Sequence, residues 1–450
     1  MKKPDMLSDT VASALFRLVL PLIPGTLSIV LFNVTDTYFV GQLGAVQLAA
    51  MSFSFPVVLV SGGLSMGLGI GTAAYVSQTL GRGERKEAAR VSTLAFVLSF
   101  LIVFFLAVAG LFTIESLFSA LGATSDVLPF IRTYMTIWYI GMPFVILPMV
   151  GNNILQSTGD TKIPGIMLTG SVVLNIVLDP LLIFGLGFFP EMGMAGAALA
   201  TVIARGTGLI VVGIVIVRRE KLVTFTRGMF RRAFTVWGKI LYVGLPAAAA
   251  NILLPISMGV VTRMISDFGT DAVAGFGAAT RVESFALVFT LALSMIVTPF
   301  VGQNLGAGRH KRIVKGYRTA SLFSLAWGAM VLLIFLFFAH PIASIFNDDP
   351  RVVSVTANYL KIVGVSYGFL GIVNLTTAAF NGLRKPLWAA AVAFVRLFAF
   401  YIPLAAAGKK LFGLDGIFYG AMAGNVLGCV VSFLWFTLER RKARHKCRGG

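Results

Sequence analysis

Apolar residues along this chain neither alternate strictly nor form a single amphipathic stripe. They gather into long runs separated by short polar segments. Twelve runs lie near residues 15–40, 47–76, 91–113, 129–155, 163–187 and 194–217, then 239–263, 272–301, 316–340, 354–381, 386–408 and 414–437. Each is long enough to cross the ~30 Å hydrocarbon core of a bilayer as an α-helix rising about 1.5 Å per residue. A membrane β-barrel would show short segments of alternating polarity instead. The pattern predicts an all-α polytopic membrane protein with twelve transmembrane helices. Gly and Pro within the runs are compatible with this, because neighbouring helices in lipid re-satisfy the backbone groups they free.

The runs repeat. A shift of 225 residues carries Pro21 onto Pro246, Gly44 onto Gly269, Ala49 onto Ala274 and Val76 onto Val301. It also carries Gln78, Gly81, Gly83 and Lys86 onto Gln303, Gly306, Gly308 and Lys311, so "SQTLGRGERK" answers "GQNLGAGRHK". The expected organisation is a six-helix lobe at 1–217, a basic cytoplasmic linker at 218–238 and a second six-helix lobe with a basic tail at 239–450. Six is even, so both lobes enter the membrane in the same sense. This predicts a pseudo-two-fold axis along the membrane normal and a cleft that rocking exposes to alternate sides.

Composition agrees with lipid as the solvent. Only 12% of residues are charged, against about 25% in a soluble domain. A net charge of +19 invites a nucleic-acid reading, but the basic residues lie between apolar runs and form no nucleic-acid-binding motif. They crowd alternate loops: Arg82, Arg85, Lys86 and Arg90 after the second run, Arg218 to Lys239 after the sixth, Arg309 to Arg318 after the eighth, and the tail from Arg440. The positive-inside rule then places both termini in the cytoplasm and the chain in the inner (plasma) membrane, with Lys409 and Lys410 as an exception on the outer side. Cys429 and Cys447 make no disulfide framework, and His310, His340 and His445 show no metal spacing. No Walker, GxSxG or HExxH pattern occurs, so neither an enzyme nor a resident cofactor is expected. The glycines of "GLSMGLGIGTA" lie inside a run and read as close helix packing, not as a nucleotide fingerprint.

Ionisable residues inside spans are costly and default to functional hypotheses. Asp36 sits in "NVTDTYFVGQLG" and Asp179 in "LNIVLDPLLIFG", about four and eight residues from the outer ends of spans 1 and 5. Asn33 and Asn175 precede them by three and four residues, on the same helical faces. Pro180 loosens the backbone beside Asp179. Two carboxylates in a poorly hydrated pocket cannot both ionise cheaply, so one holds a proton near neutral pH, or the pair holds a small cation with amide and hydroxyl oxygens. The alternative is that both only fix helix packing. The basic intramembrane residues Arg132, Arg205, Arg281, Lys361 and Arg396 are expected to snorkel or to pair with carboxylates, and Arg205 in span 6 to border the first-lobe site.

"NVTDTYFVGQLGAVQLAA", "VSQTLGRGERKEAAR", "STGDTKIP" and the stretch from "LNIVLDPLLIFG" to "AALATVIA" together resemble the multidrug and toxic compound extrusion (MATE) family, over nearly the whole chain. The resemblance is strongest to its DinF-like branch. It implies a secondary active antiporter that exports small organic, often cationic or amphipathic, compounds in exchange for H⁺ or Na⁺. The branch resemblance implies an ion-coupling site made of Asp36, Asn175, Asp179 and Thr201, where Na⁺ would also bind, with Tyr139 and Asn152 near the central region. The other bacterial branch carries acidic residues in spans 7 and 10. Here those spans have none, which argues against a coupling site in the second lobe. A flippase for a lipid-linked sugar or lipid precursor is the alternative, kept open by Arg132, Arg205 and Arg281. Small organic substrates and membrane lipids are the expected partners, and a monomer the expected state, since the cleft lies within one chain.

Overall fold

The computed structural model describes residues 3–226 and 228–446, and the side chains of these except 33, 34 and 440–446. Cys447 therefore lies outside the described residues. The described chain is helical, with no strand among the described residues. Among the described residues ten helices are long and apolar enough to cross a membrane, from Val11–Leu43 to Pro386–Glu439, and the bent pair Pro350–Gly364 and Tyr367–Gly382 makes an eleventh. The last helix holds two spans. Its backbone leaves the helical region at Gly413 (φ 63°, ψ −135°). Gly416 then lies against Gly408, Gly420 against Ala405 and Gly424 against Tyr401, the descending register of an antiparallel helix pair. The spans are thus twelve, with span 8 formed by Thr270–Ala286 and Val288–Gly306, as the hydrophobic runs predict. Several helices run beyond the apolar runs by one or two turns, because the polar residues that end a run still complete backbone hydrogen bonds at the membrane surface.

The chain divides into two compact units, Met1–Leu7 with Leu20–Ala248, and Ser8–Val19 with Ala249–Gly450. In the first unit, span 4 (Leu128–Ser157) packs on spans 2 (Ala45–Gly81), 3 (Arg85–Ala120) and 6 (Met194–Arg219), while span 5 (Lys162–Phe184) packs on spans 1 and 6. In the second unit, span 9 (His310–Ser344) and the second half of span 10 pack together, and the latter also meets span 8 and span 12 (414–439). The change of unit within span 1 coincides with the start of a short 3₁₀ turn, Leu20–Leu22, centred on Pro21, whose ring cannot give an N–H to an α-helical ladder.

The segment expected to be a linker at 218–238 is mostly helical. Val215–Arg219 continue span 6 as a π-helix, Met229–Arg232 form a 3₁₀ turn and Ala233–Ser266 form span 7, so residues 220–226 and 228 are what remains outside helices. The basic residues mask an apolar face. Ala233, Val236 and Ile240 are buried in a core with Leu68, Val91 and Leu94, and Trp237 Nε1 donates to the Leu94 carbonyl at 2.9 Å. The non-helical stretch is itself tied down. Glu220 is buried and meets Lys3 Nζ at 3.1 Å and Arg85 at 3.5 Å, and Thr224 N–H donates to Thr93 Oγ1 at 3.0 Å.

The glycine run of span 2 packs helices, as its composition indicates. Gly67 and Gly71 meet the backbone of span 7 at Gly244 and Ile240, and Gly69 meets the Asn153 side chain. Lys409, the exception to the charge pattern, is ion-paired with Asp267 and lies over the Phe268 ring at 5.9 Å. That hydrogen bond and charge, with Arg263 adding to them, hold the Asp267 carboxyl below its usual range.

Candidate functional site

Spans 1 and 5 touch backbone to backbone. Gly165 lies against the Pro21 carbonyl, and a side chain at Gly25 would fall 2.8 Å from Leu168 Cβ. Spans 5 and 6 approach in the same way through Gly196, which faces the Leu182 carbonyl. Three helices drawn this close bring their polar side chains into one buried place. Asp36 (span 1), Asn175 and Asp179 (span 5) and Thr201 (span 6) are all buried, at 5%, 1%, 0% and 4% exposure.

Asn175 sits at the hub. Its Nδ2 donates to Asp179 Oδ1 at 3.2 Å and to Thr201 Oγ1 at 3.4 Å, and the Thr201 hydroxyl donates to the Ala197 carbonyl at 3.3 Å. Asp36 and Asp179 lie within electrostatic range of each other, and the Tyr134 hydroxyl lies within range of both. Three oxygens of this group, Asp36 Oδ1, Asp179 Oδ2 and Asn175 Oδ1, are buried without a protein hydrogen-bond donor. Buried acceptors without donors are costly, and a proton on a carboxylate, a small cation or an ordered water would each satisfy them. Hard oxygen donors with two carboxylates suit H⁺ or Na⁺. No cluster of three or more His, Cys, Asp or Glu exists among the described residues.

Beside this group lies a cavity of about 210 Å³, lined by Asp36, Thr201, Arg205, Phe32, Tyr134 and Trp138 among others. Arg205 stands over the Phe32 ring at 5.5 Å. The Tyr134 and Trp138 rings are near-parallel, 8° apart in plane and 6.4 Å between centroids. Met51, Met142 and Met149 complete an adaptable apolar wall. Asn175 and Asp179 do not line the cavity; Asn175 reaches it through Thr201.

The structure departs from the sequence reading at Tyr139, Asn152 and Arg132. The Asn33 side chain lies outside the described residues. Tyr139 is buried against Gly110 of span 3 and does not line the cavity, nor does Asn152. The aromatic pair that does line it, Tyr134 and Trp138, was readable as an i, i+4 face on the same helix, but nothing in the sequence orients span 4 about its axis. Arg132 pairs with Glu115 at 3.0 Å, both side chains about two-thirds exposed, so it makes no part of a buried anion site.

Loss of the hub is expected to weaken ion binding without unfolding the unit. Asn175→Ala removes donors to both Asp179 and Thr201. Hydrogen bonds to charged groups contribute about 1.5–3 kcal/mol, so the ion concentration for half-maximal transport is expected to rise about tenfold or more. An unchanged ion dependence in reconstituted vesicles would contradict this arrangement.

Comparison with known proteins follows the same lines. The family model described as MatE matches residues 21–181 and again 246–407, starting at the two repeat-related prolines, Pro21 and Pro246. A curated relative, the "FAD transporter" of Shewanella oneidensis, is 35% identical over 94% of this chain and 93% of its own. The "Probable multidrug resistance protein NorM" of Thermotoga maritima is 27% identical over 94% and 91%. The crystal structure of the Vibrio cholerae MATE transporter VcmN in the bent form superposes with a TM-score of 0.90 at 31% identity, over 96% of this chain and 97% of that one. With the family model covering most of the chain in two matches, the chain belongs to the MatE family, the multidrug and toxic compound extrusion transporters.

Proposed function

We propose that the chain is a secondary active antiporter that exports small organic compounds in exchange for H⁺ or Na⁺. The coupling-ion site is Asp36, Asn175, Asp179 and Thr201, and the supporting observation is the set of three buried oxygens without protein donors beside a cavity. An ion loading this group changes the contacts among spans 1, 5 and 6. It drives transport only by binding the outward-open and inward-open states with different affinity. The working halves are 1–217 and 239–450. The protein sits in the plasma membrane as a monomer with both termini in the cytoplasm, in agreement with its basic loops. The donor pattern fits the DinF-like branch, whose site lies in the first lobe. The test is efflux from proteoliposomes under an imposed pH or Na⁺ gradient. Efflux that responds to neither gradient would sink the antiport reading.

The cavity also indicates a class of cargo. Stacking walls and a basic residue favour a planar aromatic compound that carries negative charge, with Arg205 as the anion-binding residue and Tyr134 and Trp138 as the faces for the ring. The flavin dinucleotide named for the Shewanella relative has both features. Arg205→Gln is expected to lower efflux of a flavin nucleotide by about 10-fold to 100-fold, as loss of a charge-assisted hydrogen bond of about 1.5–3 kcal/mol implies. A neutral aromatic cargo is expected to keep most of its rate. Equal losses for both cargoes would mean that Arg205 does not select charge.

A further inference from the structure

The second unit holds a buried polar cluster that the site above does not use. Glu283 of span 8 accepts a 2.6 Å hydrogen bond from the Tyr359 hydroxyl of span 10. Arg396 of span 11 does not spend its donors on that carboxylate. It donates to Asn425 Oδ1 of span 12 at 3.0 Å, and Asn425 Nδ2 donates onward to Ser366 Oγ at 3.0 Å. The charges of Glu283 and Arg396 still act on each other across the cluster. Tyr367 and Tyr401 lie within electrostatic range of Glu283, and the Tyr367 hydroxyl is buried with no hydrogen-bond partner. Arg281, two residues along the same helix, is exposed. The groups facing Glu283 are therefore Tyr359 and Tyr367 from span 10 and Arg396 and Tyr401 from span 11.

Both ends of this chain of contacts rest on irregular backbone. Arg396 stands on a π-helical turn, Val395–Tyr401, a geometry that recurs at functional sites. Gly428 lies against its side chain, with room for no β-carbon, since one placed there would fall 2.7 Å from Arg396 Cγ. Ser366 sits in the break of span 10, where Pro350–Gly364 and Tyr367–Gly382 meet at 58°. Asn425 thus connects the half-buried Arg396 to the bend of span 10.

We propose that Glu283 is a second proton-binding site, and that its protonation releases the hold of Arg396, Asn425 and Ser366 on the break in span 10. The ligand is a proton, not a metal cation. Arg396 already supplies a positive charge that repels a metal ion, whereas a proton needs one carboxylate oxygen and Tyr359 engages the other. While Glu283 is ionised, Arg396 has a compensating charge within the unit. Once Glu283 takes a proton, the half-buried Arg396 loses that compensating charge, which favours rearrangement or hydration around it. The contacts that change with it are those to Asn425 and, through it, Ser366. Spans 7 and 10 carry no acid, which argues against a second-lobe coupling site, and the acid proposed here comes from span 8 instead.

The test reads protonation directly and needs no transport, so it stands apart from the antiport reading. Infrared difference spectra of the full chain in lipid vesicles are recorded while the pH is stepped from alkaline to acid. A protonated-carboxyl C=O band is expected to grow in, to vanish in Glu283→Gln and to persist in Asp36→Asn. In Tyr359→Phe the band is expected to move in frequency, because the carboxyl has lost its hydroxyl partner. A Glu283→Gln spectrum that retains every band of the wild type would overturn the proposal. Should that variant fail to assemble, an unmoved band in Tyr359→Phe would overturn it equally.

Discussion

Asp36→Asn is expected to abolish gradient-driven efflux while leaving the protein folded. Asn has nearly the same shape and keeps the helix, but it neither exchanges a proton nor brings a charge to Asp179. Asp36 Oδ1 has no protein donor, so the change breaks no hydrogen bond at that oxygen. The magnitude follows from the energy of one charge in the membrane potential, about 2.3 kcal/mol per 100 mV. At 1.36 kcal/mol per factor of ten, coupling to one such charge supports an about 50-fold concentration ratio of a neutral cargo. The wild type is expected to build a ratio of that order in vesicles held at 100 mV, and the variant to stop at equal concentrations. Accumulation by the variant as steep as that of the wild type would show that Asp36 carries no coupling ion, and would return the two carboxylates to a packing role.

The second large effect is structural. Gly165→Ala is expected to disrupt the first unit, because the added methyl group would fall on the Pro21 carbonyl oxygen. Neither atom can turn aside, since both belong to backbone or are bonded directly to it. Overpacking of a close contact costs about 1–3 kcal/mol where neighbours can shift, and a backbone carbonyl in a helix shifts little. Spans 1 and 5 must separate, and with them Asp36 from Asp179, so both the thermal midpoint and ion binding are expected to fall. Gly170→Ala is the control on the same helix. A side chain there meets nothing within 4 Å, and replacing Gly by Ala in an exposed helix position gains up to about 1 kcal/mol in propensity. If both variants unfold at the wild-type temperature, the contact between spans 1 and 5 is not what holds the site together.

The effects of Gly165 and Asp36 are linked by geometry. Gly165, Asn175 and Asp179 share one helix, which packs on span 1 at Gly165. Span 6 approaches the group from a third side through Gly196, so two close glycine contacts flank the proposed ion site.

The sequence by itself determined the spans, the repeat and the membrane setting. Insertion of a helix in lipid depends on that segment's own length and polarity, so it is legible one segment at a time. The break at Gly413 between spans 11 and 12 was readable for the same reason, since it ends the short segment 409–413 that separates two apolar runs. The carboxylates Asp36 and Asp179 stood out because charge in a span is rare. What the tertiary structure alone decided is which side chains meet. Tyr139 turned toward Gly110 while Tyr134 and Trp138 faced the cavity, a choice set by the rotation of span 4 against three neighbours. The meeting of Glu283 with Tyr359, and of Arg396 with Asn425, joins residues 76 and 29 positions apart. The helical start of span 7, read as basic linker, was hidden because its apolar face is defined only by the core it covers. Each of these is a property of pairs of helices, fixed by how closely small residues let backbones approach, and no single segment carries it.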